Sequence, residues 1–202
     1  FCFPGEEMAR IAEAIRCAKD ARAPIVLMLG GAVIKEGCSL VLIDLVRRGY
    51  VTHLAMNGSV SIHDFEIAMI GQTSEDVQAS LDDGSFGMAD ETGRFMNGAI
   101  IRGYREGIGQ GRAIAQEIEK RNLPYKESSI LYQALKSGVG LSVHVAIGGD
   151  IIHQHPACDG AALGATSYED FKLLTEVMTR IDKGVVINVG SRLPCLSWSR
   201  ES

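Results

Sequence analysis

The sequence predicts an α/β protein with a Rossmann-like three-layer fold around a mostly parallel sheet. Three observations predict it. Short continuous apolar runs of strand length alternate with stretches of helical period along the 202 residues. The first of those runs, "PIVLML" (24–29), is continuously apolar, the pattern of a strand covered on both faces. Three of them also end in small or polar turns: Gly30-Gly31-Ala32, Asn57-Gly58-Ser59 and Gly148-Gly149-Asp150.

The elements follow in order. "PGEEMARIAEAIRCAKDARA" places Met8, Ile11, Ile15 and Ala18 on one helical face, with acids near its start where the helix dipole favours them. "PIVLML" (24–29) reads as a buried strand closed by glycines, and a helix with Cys38, Val41, Leu42, Leu45 and Val46 on its inner face follows. "VTHLAM" (51–56) is a second strand. Ser61 and Asp64 make a capping pair for the next helix, which runs through Ile70. Residues 74–138 read as helices interrupted by glycine. "SVHVAI" and "VVINVG" supply two further strands around the helix "SYEDFKLLTEVMTRI", whose buried stripe is Phe171, Leu174, Val177, Met178 and Ile181. Strand and helix in this rhythm require right-handed crossovers and a parallel sheet.

Composition narrows the class. The chain is 46% hydrophobic and 22% charged, with a net charge of −5 and no basic block, so a nucleic-acid or anionic-membrane partner has no electrostatic footprint. The longest apolar runs are about half the ~20 residues that a membrane-spanning helix needs. Five cysteines, an odd number without a CxxC pair, read as reduced thiols of a cytoplasmic protein. Residues 1–202 fit one domain. A start at Phe1 and an aperiodic tail after "GVVINVGS" make it read as a fragment of a longer chain.

In open parallel sheets, ligands bind beyond the carboxyl ends of the strands. Gly30, Gly31, Ala32, Asn57, Gly58, Ser59, Gly148, Gly149 and Asp150 are therefore the candidate cofactor-binding positions. Glycine permits close approach to the backbone, and each following helix offers free N–H groups. "GIGQGR" (107–112) imitates a dinucleotide fingerprint but follows a helix-like stretch, so it reads as a break between helices. His63 and Asp64 stand at the predicted ligand edge, where a helix N-terminus favours a neutral imidazole able to act as a base. In "VHVAIGGDIIHQHP" (143–156), Asp150, His153 and His155 face the pocket as polar and acid–base groups. The same two histidines with Asp150 or Asp159 form the alternative, a divalent-metal site of a hydrolase or lyase. His53 and His144 alternate with apolar residues and read as core histidines.

The stretch "IGGDIIHQHP" resembles the Gly-Gly-Gly-Val-Val-Lys-His-His loop of deoxyhypusine synthases. "PIVLMLGGAVIKEGCSLVLIDLVRRGYVTHLAMNGSVSIHDFEIAMIG", "DGAALGATSYEDFK" and "GVVINVGS" resemble further segments of that family in the same order. The resemblance implies an NAD-binding Rossmann-like fold, a homotetramer with interfacial sites, and a polyamine or related small amine as substrate. It also implies that "DGAALGATSYEDFK" is an acidic substrate-holding segment, with Gln154 in place of a site histidine and Glu169 in place of a catalytic glutamate. The family's lysine position, six residues after that glutamate, is Thr175, while Lys172 lies three residues away. The resemblance therefore implies NAD binding more strongly than the family's imine chemistry, which needs the lysine as nucleophile. A non-catalytic ligand-binding relative is the remaining alternative.

Overall fold

Four strands, β1 (Ile25–Leu29), β2 (His53–Asn57), β3 (Gly140–His144) and β4 (Val185–Val189), form one sheet in a computed structural model that describes residues 5–73 and 90–190. Their order is β3-β2-β1-β4 and every pairing is parallel, with Leu27 opposite both Leu54 and Ile187, and Ala55 opposite Ser142. The Rossmann-like α/β architecture expected from the strand rhythm is the one observed.

The helices among the described residues are α1 (Gly5–Asp20), α2 (Gly31–Lys35), α3 (Ser39–Arg47), α4 (Gly58–Ile70), α5 (Asp90–Glu106), α6 (Gln110–Lys120), α7 (Ile130–Lys136) and α8 (Gly160–Thr179). One face of the sheet presents Leu27, Leu29, Leu54, Met56, Leu141 and Val143 to a large core completed by Phe65, Ile100, Ile114, Ile118 and Leu131. The other face presents Val26 and Ala55 to Leu174 of α8. Each fully buried side chain of this size favours the fold by about 1.5–3 kcal/mol.

Several elements differ from the sequence reading, each for a local reason. The helix after β1 is two helices, because Gly37 takes a left-handed φ of +78° between α2 and α3. Leu42 and Val46 are buried as expected, while Val41 faces outward. α4 starts at Gly58 rather than at a Ser61–Asp64 pair. Its cap is Asn57, whose Oδ1 accepts from the Val60 N–H at 3.1 Å. α8 starts at Gly160 with Asp159 as cap, earlier than the expected start at "SYEDFK", so the whole of "GAALGATSYEDFK" is helical. Phe171 lies on the outer side of α8, stacked on Tyr168. On α1 only Ala18 is buried, and Met8 and Ile11 remain exposed. "GIGQGR" does break two helices, α5 and α6. Of the stretch 74–138, residues 74–89 lie outside the described residues, as do Cys2 and Cys195. Cys17, Cys38 and Cys158 are free thiols. No helix among the described residues is long and apolar enough to cross a membrane.

The chain runs from β1 outward to β2 and β3, then returns to place β4 on the other side of β1. The carboxyl ends of β1 and β4, where the chain reverses, are the place at which such sheets receive ligands.

Candidate functional site

The three turns expected at the ligand edge follow neighbouring strands and touch one another. The Gly30 N–H donates to the Val189 carbonyl at 3.1 Å, which ties the end of β1 to the end of β4. α2 begins at the next residue. A Cβ on Gly31 would overlap the Ser59 hydroxyl in the first turn of α4, so only glycine lets the first two turns pack. A Cβ on Gly58 would overlap the Asp150 carboxylate, which joins the second turn to the third. Ala32 stands exposed in α2. The third turn bends at Gly148, which has φ +90°, and at Gly149, whose N–H donates to the Ala146 carbonyl at 2.8 Å.

Two histidines stand on this floor with an unused ring nitrogen. His63 in α4 is largely buried, and its Nδ1 lies 3.5 Å from Glu66 Oε2 without making a hydrogen bond among the described residues. His153 is more constrained. Its Nδ1 accepts from the Gly148 N–H at 3.1 Å and the Asp150 N–H at 3.2 Å. Two donors aimed at one nitrogen require it to be unprotonated, so the ring is neutral and carries its hydrogen on Nε2. Burial pushes the His153 pKa below the usual 6.5, against the opposing pull of Asp150. Burial also pushes Asp150 upward, and His153 partly offsets that. The His153 Nε2–Asp150 Oδ2 distance is 3.8 Å, too long for a hydrogen bond, and Nε2 has no hydrogen-bond partner among the described residues.

Other sequence candidates are occupied elsewhere. His155 turns toward α5, with Nδ1 accepting from the Ala157 N–H at 3.1 Å and Nε2 3.2 Å from Asp90 Oδ1. Asp64 is fully buried and accepts from the Ser129 hydroxyl and the N–H groups of Ile130 and Leu131. Its carboxylate thus holds α7, and burial pushes its pKa up to about 6 against those three hydrogen bonds. Glu169 sits on the surface of α8 paired with Lys172. No group of three metal-ligating side chains exists among the described residues. With His153 and His155 directed at separate partners, the metal-dependent hydrolase alternative gains no support. His53 and His144 flank Ser142, whose Oγ lies 2.8 and 3.0 Å from their Nε2 atoms, and burial pushes His53 down to about 4.

Asp170, which the sequence reading places in the acidic substrate-holding segment, is buried and holds the fold instead. From α8 its carboxylate accepts the N–H of Gly111 at 2.9 Å and of Val143 at 2.8 Å. It thereby sits at the start of α6, inside "GIGQGR", where a Cβ on Gly109 would overlap it. Burial pushes its pKa up to about 7. The signal was present: Leu163, Thr166, Asp170 and Leu174 share one helical stripe, and all four are buried.

Parallel strands reversing about β1, with glycine-bearing turns gathered on one edge, define a Rossmann-fold domain. The chain belongs to the family described as arginine dihydrolase ArgZ-like, C-terminal, Rossmann fold, whose model matches residues 9–150. Among solved structures it is similar to apo ArgZ, an arginine dihydrolase of the ornithine–ammonia cycle in cyanobacteria (21% identity, TM-score 0.55, 90% of this chain and 23% of that one). It is similar to AgrE in ternary complex with ornithine and NAD+ (18% identity, TM-score 0.52, 85% of this chain and 22% of that one). It is also similar to a conserved LOR/SDH protein of Methanococcus maripaludis S2 (15% identity, TM-score 0.53, 94% and 64%). At these identities the likeness concerns the fold. The chain spans under a quarter of the length of the ArgZ and AgrE chains cited. No curated protein matches it.

These findings overturn the deoxyhypusine synthase resemblance, and with it the polyamine substrate and the role carried over to Glu169. The shared features were glycine-ended parallel strands in order, which the fold imposes on unrelated chemistries.

Proposed function

We propose that this chain is a dinucleotide-binding domain that holds NAD+ across the carboxyl ends of β1, β2 and β3, serving a redox step on a small amino acid of the ornithine kind. The observation that carries the reading is the contact of three turns, Gly31 on Ser59 and Gly58 on Asp150, which gathers the carboxyl ends of β1, β2 and β3 into one continuous edge. Family membership supports it, as does the relative bound to ornithine and NAD+.

The residues fit such a group. Gly30, Gly31 and Ala32 offer closely approachable backbone after β1, and Asn57 fixes the second turn, where the Asp150 carboxylate covers Gly58. Gly148 and Gly149 keep the third turn low, and Asp150 supplies an acceptor. Buried ring nitrogens without hydrogen bonds at His63 and His153 are the kind of polar atoms that a ligand satisfies. When bound, NAD+ supplies a hydride acceptor. Among the histidines, His63 is the one placed to take a proton. His153 is held neutral as a donor, and His155 and Asp64 are engaged in holding α5 and α7.

Titration calorimetry of the chain with NAD+ tests the reading. Saturable binding at one site per chain is expected, weakened by His63→Ala far less than a turnover assay on the longer protein would be. Absence of binding at millimolar NAD+ overturns it.

A further inference from the structure

A cavity opens at the amino ends of β1, β2 and β4, on the edge of the sheet opposite the candidate site. It measures about 500 Å³, and its lining includes Arg22, Pro24, Thr52, Val177, Arg180 and Lys183. The turns before β1 and β4 meet there. The Val185 N–H donates to the Pro24 carbonyl at 2.9 Å, and a Cβ on Gly184 would overlap that carbonyl. Arg22 and Lys183 each stand two residues before one partner of this bond.

Both take a backbone that favours glycine. Arg22 has φ +54° and Lys183 φ +58°, and Asn122 is the one other non-glycine residue with a left-handed φ among the described residues. α3, α5 and α7 close on this conformation at Gly49, Gly107 and Gly138, and α6 at Asn122. α1 closes with the same pair of hydrogen bonds, Arg22 N–H to the Lys19 carbonyl at 3.0 Å and Ala23 N–H to the Ala18 carbonyl at 2.9 Å, yet carries arginine there. A cation complements the dipole at a helix C-terminus, but Lys19 in the last turn of α1 does this without a left-handed backbone. The Arg22 and Lys183 side chains make no hydrogen bond or ion pair among the described residues, and both residues are exposed. Their neighbour Arg180 is paired with Glu176 at 2.9 Å. Strained backbone thus brings two uncommitted cations to one cavity, and such strain clusters at functional sites.

We propose that this cavity binds a small phosphate monoester, with Arg22 and Lys183 holding its phosphoryl group. That group carries a charge of about −1.5 to −2 near neutral pH, which two cations balance. A guanidinium grips two phosphate oxygens in its fork, and an ammonium adds a point charge with rotatable donors. A single carboxylate has charge for only one of them. Asp182 also lines the cavity. It opposes a second anionic group and accepts from a hydroxyl or amine on the body of the ligand. Pro24 and Val177 supply apolar wall for that body. The site lies on the edge away from the glycine-bearing turns, so it stands apart from the NAD+-binding reading.

The test is calorimetry of the whole chain at low salt, with glycerol 3-phosphate as probe and succinate as comparison. The parent should bind glycerol 3-phosphate at one site and succinate more weakly. Arg22→Gly and Lys183→Gly should each weaken glycerol 3-phosphate at least about tenfold, the scale of one lost charge-assisted hydrogen bond. Both should melt no lower than the parent, because glycine takes a left-handed φ without strain. Lys120→Gln, which removes a charge from α6, should bind the probe as the parent does. Arg22→Asn and Lys183→Asn also tolerate that backbone and give the comparison where a glycine variant melts lower. Folded variants at both positions that bind glycerol 3-phosphate as well as the parent overturn the proposal, as does a parent without saturable binding at millimolar probe. Equal affinity for succinate overturns the phosphate assignment. Displacement of glycerol 3-phosphate by NAD+ places the probe at the carboxyl edge and overturns the site.

Discussion

Asp64 and Ser129 lie 65 positions apart and form the buried joint between α4 and α7. The Ser129 hydroxyl donates to Asp64 Oδ2 at 2.5 Å, while Ser129 Oγ accepts from the Tyr132 N–H at 3.1 Å and caps α7. Asp64 adds the Ile130 and Leu131 N–H groups, at 2.8 and 3.0 Å. Two side chains together satisfy three donors at the start of one helix. Asp64→Ala leaves two of those N–H groups and the Ser129 hydroxyl without that acceptor. The expected loss is about 2–4 kcal/mol, read as a lower urea midpoint at unchanged slope. A midpoint within about 0.5 kcal/mol of the parent would remove Asp64 from this role.

The same joint sets a pH dependence. The folded-state pKa of Asp64, about 6, lies above the ordinary 3.8, so the native state holds the proton more tightly. Stability from this group is therefore present below about pH 4, declines as pH rises toward 6, and is flat beyond. Asp64→Asn should remove that decline. Urea midpoints of parent and variant across this range, subtracted, give the result.

Asp170 titrates in a higher window. With a folded pKa near 7 against 3.8, its contribution falls as pH rises from about 4 to 7. Asp170→Asn keeps an oxygen for the N–H groups of Gly111 and Val143 and removes the buried charge. Its stability relative to the parent should rise through that window and level off above it. Asp170→Ala leaves both donors buried and unpaired, so its loss should be greatest near pH 4 and shrink as pH rises toward 7.

Gly93 and His155 are in contact across α5 and the loop after β3. A Cβ on Gly93 would come within 2.5 Å of the His155 ring. The ring is pinned at both nitrogens, so Gly93→Ala should cost about 1–3 kcal/mol. In the His155→Ala background the same substitution should cost less by 1 kcal/mol or more, a coupling that a double-mutant cycle measures directly. Additive effects would place the two residues out of contact.

Much of the fold was legible because it depends on local patterns. Continuous apolar runs ended by glycine marked all four strands, and Asn57, Gly58 and Ser59 were visible as a turn at the ligand edge. The carboxyl-edge rule then brought Gly31, Gly58 and Asp150 to one side of the sheet, where they are found. Helix starts were read less well. Ser61 and Asp64 have the spacing of a capping pair, yet Asn57 is the cap and Asp64 points inward. Spacing records which residues are able to cap, and the direction of a side chain follows from what packs against the helix. The helical stripe assigns Phe171 to the core, whereas the side of α8 toward the sheet carries Asp170 and Leu174, with Val177, Met178 and Ile181 packed beside Leu174. The family resemblance failed for a related reason: glycine turns and parallel strands report the fold, and the chemistry lies in side chains placed on it.

The sequence by itself determined the layers of this protein, the parallel sense of its strands and the edge at which its glycine-bearing turns gather. Hydrophobic period and glycine placement act within a few residues, and burial of apolar surface does the rest. Only the tertiary structure decided which polar groups meet. Asp150 and His153 are three residues apart, but Gly58 and its helix dipole come to them from more than 90 positions away. Asp64 and Ser129, or Asp170 and Gly111, likewise become partners only when separate helices pack. A carboxylate caps a helix, orients a histidine or receives a hydroxyl according to the donors around it, and those donors are set by the packing of distant segments.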